Sequence, residues 1–482
     1  MKGRLFMTLY KSLEFSACTS ILVGKKAMAD GSTVIGRNED AKSAWPKHMV
    51  IHPHQEFDAP QEFISKDNGF KMPLPQVRFK YSATPEWTDE FGLFEEDGIN
   101  EYGVAMSATE SAYANERVLG YDPLVKDGIG EEAMVTVVLP YVKTAREGVK
   151  RLGQIIEKYG TCESNGILFA DQEEVWYLET GSGHHFVAQR IPDDCYAVVA
   201  NQLAIQEIDF NDPANFIFST GIQEFVATNH LNPDPTCFNF RNIFGTHELS
   251  DEIYSTPRVW DGQRYLTPSV KQDPMSEELP FIQRADRLLH MDDLKYVLGA
   301  HFQNTPYDPL GKAPEKNKFR PISLAKTQES HLLQLRPNLP VEIAGLHWVA
   351  MGVTAQSVFV PVYAGSTEVH PAYKVGQKTY SSDSAYWVYK LLGVLVDPHY
   401  AQFGPKVLDL KKELAVKFTQ IIKQTDKKAL TLNDPLALSE LLTKASLEMQ
   451  ALGLSETQKL TSELITEATD LSPLNFKTDA NL

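Results

Sequence analysis

Ala17-Cys18-Thr19-Ser20-Ile21-Leu22-Val23 is followed, after Ala29-Asp30-Gly31-Ser32, by Thr33-Val34-Ile35-Gly36-Arg37-Asn38-Glu39-Asp40. The first run is rich in β-formers and the Asp-Gly-Ser cluster supplies turn chemistry, so the two runs are expected to be strands of one hairpin. That hairpin would bring Arg37 and Asp40 back towards Cys18. An arginine there favours a thiolate, and a carboxylate can hold a protonated amine. The expectation is that the chain is cut before Cys18. Its thiol would then be the nucleophile and its own freed α-amino group the base. Such an amine titrates at roughly 7.7–8.0, close to the pH at which a general base works best. A lone cysteine in an apolar strand is more often an inert core residue, so this stretch does not decide alone.

Further blocks extend the pattern. Asp97-Gly98-Ile99-Asn100-Glu101-Tyr102-Gly103 leads into Val104-Ala105-Met106-Ser107-Ala108-Thr109-Glu110-Ser111. Val198-Val199-Ala200-Asn201-Gln202, Ser255-Thr256-Pro257-Arg258-Val259-Trp260 and Gln328-Glu329-Ser330-His331 through Trp348 come later. Together with Cys18 through Lys26 and Arg37-x-x-Asp40, these blocks resemble the dipeptidase A family from about Cys18 to Tyr363. Its members are N-terminal-nucleophile peptidases, related to secernins and more distantly to penicillin V acylases and bile salt hydrolases.

The resemblance implies a four-layer αββα sandwich of α+β class. Cys18 matches the nucleophile, and Arg37 and Asp40 match the residues flanking it. Asn201 matches an oxyanion-hole asparagine, and Arg258 a second active-site arginine. Where the acylases carry another asparagine, this chain has Thr109 or Glu110. Those two are expected on the substrate side, and the second oxyanion donor stays open between them and a backbone N–H. Dipeptides are the substrates implied. Two alternatives share the resemblance: an acylase of linear amides such as penicillin V or conjugated bile acids, and a secernin-like interaction protein without activity.

Three segments are expected: a propeptide at 1–17, a catalytic domain at 18–383 and a helical extension at 384–482. Lys2 and Arg4 precede only a short apolar run, Leu5–Tyr10, which Lys11 and Glu14 interrupt. That is too short for a secretory signal, and a short propeptide or a true start at Met7 fits better. No stretch approaches the ~18 apolar residues of a membrane span. The net charge of -17 argues against nucleic acid or an anionic membrane as partner. Four cysteines without CxxC spacing give no metal signature, and a reducing, cytoplasmic setting is expected. No metal and no cofactor are expected.

A helix is expected over Thr144–Tyr159, with Val149, Leu152, Ile155, Ile156 and Tyr159 on one face and Thr144 as cap. Hairpin strands are expected at Gly166–Ala170 and Glu174–Glu179. His184 and His185 are adjacent on a strand and point to opposite faces, and so do Ser330 and His331, which argues against a shared metal or a nucleophile–base pair. The last strands are expected at Trp348–Ala350 and Ser357–Val360. From Ser384 onwards the spacing is helical, over Ala385–Val396, Val407–Thr425, Pro435–Leu452 and Ser455–Thr469, with Pro398, Pro405, Gly453 and Pro473 as breaks. Those helices would cover the sheet or support a homo-oligomer.

Overall fold

The computed structural model describes residues 18–109, 112–234 and 236–475. The expected propeptide at 1–17 and Glu110 lie outside them.

Thr19–Val23 (β1) and Thr33–Asp40 (β2) form the expected antiparallel hairpin, and every residue of both is buried. Alternation along a strand sends successive side chains to opposite faces. Leu22 and Ile35 therefore enter one core, while Ile21, Val23 and Val34 enter another. In the second block, Asp97–Ile99 (β3) turns into Ala105–Thr109 (β4). Asn100 makes that turn: its Oδ1 accepts from the N–H of Tyr102 and of Val104, and its Nδ2 donates to the carbonyls of Leu139 and Val142. Gly103 adopts φ +74°, a left-handed value that glycine takes without strain.

Next come the helices Glu131–Val138 (α1) and Ala145–Tyr159 (α2). Thr144 caps α2 by accepting from the N–H of Glu147, and Gly160 follows the last turn. Val149, Leu152, Ile155 and Ile156 are buried as the spacing predicts, each contributing about 1.5–3 kcal/mol of transfer free energy. Gly166–Ala170 (β5), Val175–Thr180 (β6), Phe186–Ile191 (β7) and Tyr196–Val199 (β8) follow, then Phe216–Phe218 (β9). The helix Thr256–Leu266 (α3), the short strand Ile282–Gln283 (β10) and the helix Met291–Leu298 (α4) lead to Thr327–Leu335 (β11), Gly345–Met351 (β12) and Val360–Tyr363 (β13). The last strand starts later than its sequence suggests, because Thr354–Gln356 winds into a 3₁₀ turn.

Two large antiparallel sheets result, ordered β10-β8-β1-β2-β11-β12-β13 and β9-β7-β6-β5-β4-β3, beside three two-stranded sheets between residues 50 and 83. One apolar core joins Leu22, Ile35, Leu333 and Leu335 of the first sheet to Ala105, Leu168, Tyr177 and Val187 of the second. A second core lies on the far side of the first sheet, where Ile21, Val23 and Val34 meet Leu294, Val297 and Leu298 of α4. A third joins Phe169, Trp176 and Leu178 to Val135 of α1 and Leu152 of α2. The chain is thus a mixed α/β protein, with helices against both sheets. Gly36 permits the close β2–β11 approach, since a Cβ there would lie 2.4 Å from Leu332 Cδ2 and 2.6 Å from the carbonyl oxygen of His331.

Ala385–Val396 (α5), Tyr400–Ala429 (α6) and Pro435–Ala468 (α7) complete the fold. Of the expected breaks, Pro398 lies in the 3₁₀ turn between α5 and α6 and Pro473 follows the end of α7, but the other two do not occur. Pro405 sits inside α6, and α7 runs unbroken through Gly453. At Gly453 a Cβ would come within 2.7 Å of Tyr389 Oη and 2.9 Å of Val360 Cγ2, so close packing selects glycine there. No helix among the described residues is long and apolar enough to cross a membrane.

Candidate active site

The core between the two sheets turns polar where β1 begins. Cys18 lies on the same face as Leu22, and Arg37 and Glu39 share the face of Ile35. The β1–β2 register pairs Thr19 with Asn38, which puts Glu39 opposite Cys18. Arg37 donates from Nη1 to Cys18 Sγ at 3.0 Å, and the thiol donates to Glu39 Oε2 at 3.3 Å. Arg37 is also paired with Glu39, with Glu96 at 2.7 Å and with Glu131 at 3.6 Å; Lys47 pairs with Glu96 from the other side. All six side chains are buried.

Burial sets the protonation of this cluster. It pushes the Cys18 thiol well up, Glu39 adds to the rise, and Arg37 opposes it. Glu39 is raised to about 7 by burial and by Glu96, against the pull of Arg37 and Lys47. Burial and the neighbouring Glu39 and Glu96 likewise push Glu131 well up. For Glu96 burial acts in the same direction, but Lys47 and Arg37 outweigh it and hold it below the usual carboxylate range.

A hydrogen-bond chain runs inward from Arg37. Its Nε donates to Ser107 Oγ at 2.9 Å, and Ser107 lies 3.0 Å from His331 Nε2. His331 Nδ1 faces two carboxylates, Asp97 at 2.5 Å and Glu329 at 2.9 Å. Burial alone would lower this histidine, but Asp97 and Glu329 more than offset it and raise it to about 9. Ser330 points the other way and donates to Asn38 Oδ1, as strand alternation requires.

The main chain of Cys18 is held from the opposite side. Arg258, buried on α3, donates from Nη1 to the Cys18 carbonyl at 2.6 Å and to Thr19 Oγ1 at 2.9 Å. Its Nη2 donates to Asn201 Oδ1. That orients Asn201 and leaves its Nδ2 buried with no hydrogen-bond partner among the described residues. A buried N–H₂ without a partner is costly and therefore marks a place where a ligand acceptor would bind. Burial lowers Arg258 to about 9, and Arg320 adds to that effect.

Of the residues expected from sequence, Cys18, Arg37, Asn201 and Arg258 converge. Asp40, expected to hold the α-amine, sits on the other face of β2, where its carboxylate accepts from Arg320 and Thr327. Thr109 is buried at the end of β4, and its carbonyl accepts from Asn165 Nδ2 at 3.4 Å. Glu39, Lys47, Glu96, Glu131 and His331 were not expected at the centre. For Glu39 and His331 the signal was there, as period-two alternation from Arg37 and from Leu333. Lys47, Glu96 and Glu131 come from distant segments that carry no such pattern.

Ligand atoms of Cys18, Glu39 and Glu131 lie within 4.8 Å of one another, as do those of Asp97, Glu329 and His331, a spacing that could hold a metal ion. In both groups a cationic or N–H donor of the protein already stands among the carboxylates, Arg37 in the first and His331 in the second.

Residues 17–413 match the description "Peptidase family C69". The chain is 47% identical to a "Probable dipeptidase" of Latilactobacillus sakei, over 98% of this chain and 99% of that protein. It is 41% identical to "Probable dipeptidase B" of Lactococcus lactis subsp. lactis, over 90% of this chain and 93% of that one. The solved penicillin V acylase from Agrobacterium tumefaciens is a looser likeness, at 12% identity and a TM-score of 0.34, covering 75% of this chain and 89% of that one. The chain belongs to peptidase family C69 and is a peptidase.

Proposed function

We propose that this chain is a cysteine dipeptidase whose nucleophile, Cys18, becomes the N-terminal residue when residues 1–17 are removed. The carrying observation is the pairing of Cys18 Sγ with Arg37 Nη1 at 3.0 Å, beside an Asn201 amide with an open donor. The names of the relatives above supply the substrate class. In the proposed reaction the freed α-amine takes the thiol proton and the sulfur attacks the scissile carbonyl. Asn201 Nδ2 donates to the developing oxyanion. The C–N bond breaks, the protonated α-amine gives its proton to the leaving amine, and a thioester remains. Water then gives a proton to the α-amine and attacks the thioester, releasing the acid and restoring the thiol.

Burial keeps the thiol protonated while its own nitrogen is an amide, so removal of residues 1–17 would be the activating step. Arg258 positions the nucleophile and the oxyanion donor, and Asp40 with Arg320 supports the strand beneath. The same proposal includes the four-layer αββα arrangement of N-terminal-nucleophile hydrolases, a catalytic unit of residues 18–383 and a helical extension of 384–482.

Intact-mass measurement should show loss of residues 1–17, and the processed protein should hydrolyse a mixed panel of dipeptides. Cys18→Ala should be inactive; retained dipeptidase activity in that variant would reject the mechanism. Turnover of penicillin V or conjugated bile acids with none of dipeptides would favour the acylase reading.

A further inference from the structure

Cys18 has one open donor and one open acceptor beside it. The donor is Asn201 Nδ2. The acceptor belongs to Glu39, which is only 4% exposed. Its Oε2 is taken by Arg37 and the thiol, whereas its Oε1 accepts no hydrogen bond among the described residues. A fixed carboxylate with one free oxygen next to a nucleophile needs a cationic or N–H partner.

In an aminoacyl thioester, bond lengths put the α-nitrogen about 3–4 Å from the sulfur. Glu39 Oε2 is itself 3.3 Å from that sulfur, so the same carboxylate stands at the height of the α-nitrogen.

Resting on the reading of Cys18 as nucleophile, we propose that Glu39 recognises the free α-ammonium group of the substrate's first residue, accepting from it at Oε1 while Asn201 holds the carbonyl under attack. Glu39 is then the specificity residue that restricts the site to peptides with an unblocked N-terminus. An acylated or missing amine leaves Glu39 Oε1 buried without a donor, with Arg37 on Oε2 only. Buried ions that lose a partner are penalised strongly, so the discrimination is expected to be large. The raised titration of Glu39 and Glu131 fits a site that sheds charge when empty and ionises when the ammonium enters. Its opposition to Cys18 across β1–β2 fixes the distance without any loop movement.

The test compares L-Ala-L-Ala with propionyl-L-Ala, which lacks only the amine, on processed wild type, Glu39→Gln and Glu39→Asp. Wild type is expected to prefer Ala-Ala by at least 10³-fold in kcat/KM. Glu39→Gln should lose about 10²-fold or more of the preference for Ala-Ala over propionyl-Ala, whatever loss the two substrates share through its contact with the thiol, and Glu39→Asp should recover part of that preference. Equal losses on both substrates in Glu39→Gln would overturn the proposal, as would a wild type that cleaves propionyl-Ala as well as Ala-Ala. A second readout needs no turnover: calorimetric binding of a ketomethylene isostere of Ala-Ala and of its des-amino counterpart. Wild type should prefer the amine-bearing isostere, and Glu39→Gln should not; equal preference in the two proteins would overturn the assignment. If Cys18→Ala still hydrolyses Ala-Ala, the nucleophile reading fails, and the isostere pair still decides the role of Glu39.

Discussion

Arg258 donates to the carbonyl oxygen of Cys18 at 2.6 Å, so a helix residue 240 positions away fixes the backbone of the candidate nucleophile. The same guanidinium holds Asn201, and the two ends of the proposed reaction centre therefore share one support. Arg258→Lys cannot serve both partners with planar geometry. We expect kcat to fall about 10²-fold, the cost associated with a misplaced reacting group, with KM nearly unchanged. Stability should drop by about 1.5–3 kcal/mol, the usual worth of hydrogen bonds to a charged group. Steady-state kinetics and urea unfolding on the same variant check both.

Asn201→Asp separates support from catalysis. The aspartate keeps an oxygen for Arg258 but removes the Nδ2 donor. We expect kcat to fall by at least about 10²-fold, the typical loss of one oxyanion donor, without loss of stability. Near-normal turnover in that variant would place the oxyanion elsewhere.

Glu39 titrates at about 7 in the folded chain, against an ordinary 4.5. Between those values the folded state keeps a proton that the unfolded state has released, so stability falls as pH rises through the window. Glu39→Gln removes that penalty. Relative to wild type it should be stabilised on the order of 2–3 kcal/mol above pH 7, with the gain vanishing below pH 4.5. Denaturant midpoints at pH 4 and pH 8 give the comparison.

For His331 the sign is reversed. Its folded value of about 9 lies above the ordinary 6.5, so its contribution is complete below pH 6.5 and is lost as pH rises through 9. His331→Asn should cost roughly 3 kcal/mol at pH 6 and much less at pH 9.5. A deficit that stays constant over that range would show that packing, rather than the pairing with Asp97 and Glu329, is what the histidine supplies.

Gly453→Ala reads the close approach of α7. Helix propensity alone would gain about 1 kcal/mol, but the added methyl meets Tyr389 Oη and Val360. Overpacking of this kind costs about 1–3 kcal/mol, so the variant should be less stable than wild type in thermal unfolding.

The hairpin and the capped helix α2 were legible because each rests on neighbouring residues alone. Cys18 and Arg37 were legible for the same reason. Asp40 was expected to hold the freed α-amine of Cys18, and its carboxylate accepts from Arg320 and Thr327; two residues beyond Arg37 the same face belongs to Glu39, which alternation would have placed opposite Cys18. The contributions of Lys47, Glu96 and Glu131 depend on how distant loops and α1 close over the sheet, and no local pattern encodes that. Pro405 and Gly453 were misjudged as breaks because tertiary packing overrides single-residue propensity in long helices.

β1 lies in the interior of its sheet, bonded to β8 on one side and β2 on the other. Chain ends ordinarily fray. A terminus created at Cys18 would instead be born between two finished ladders, with Arg258 gripping its first carbonyl. Trimming would thus act on an already built enzyme, uncovering a nitrogen without loosening the strand that bears it.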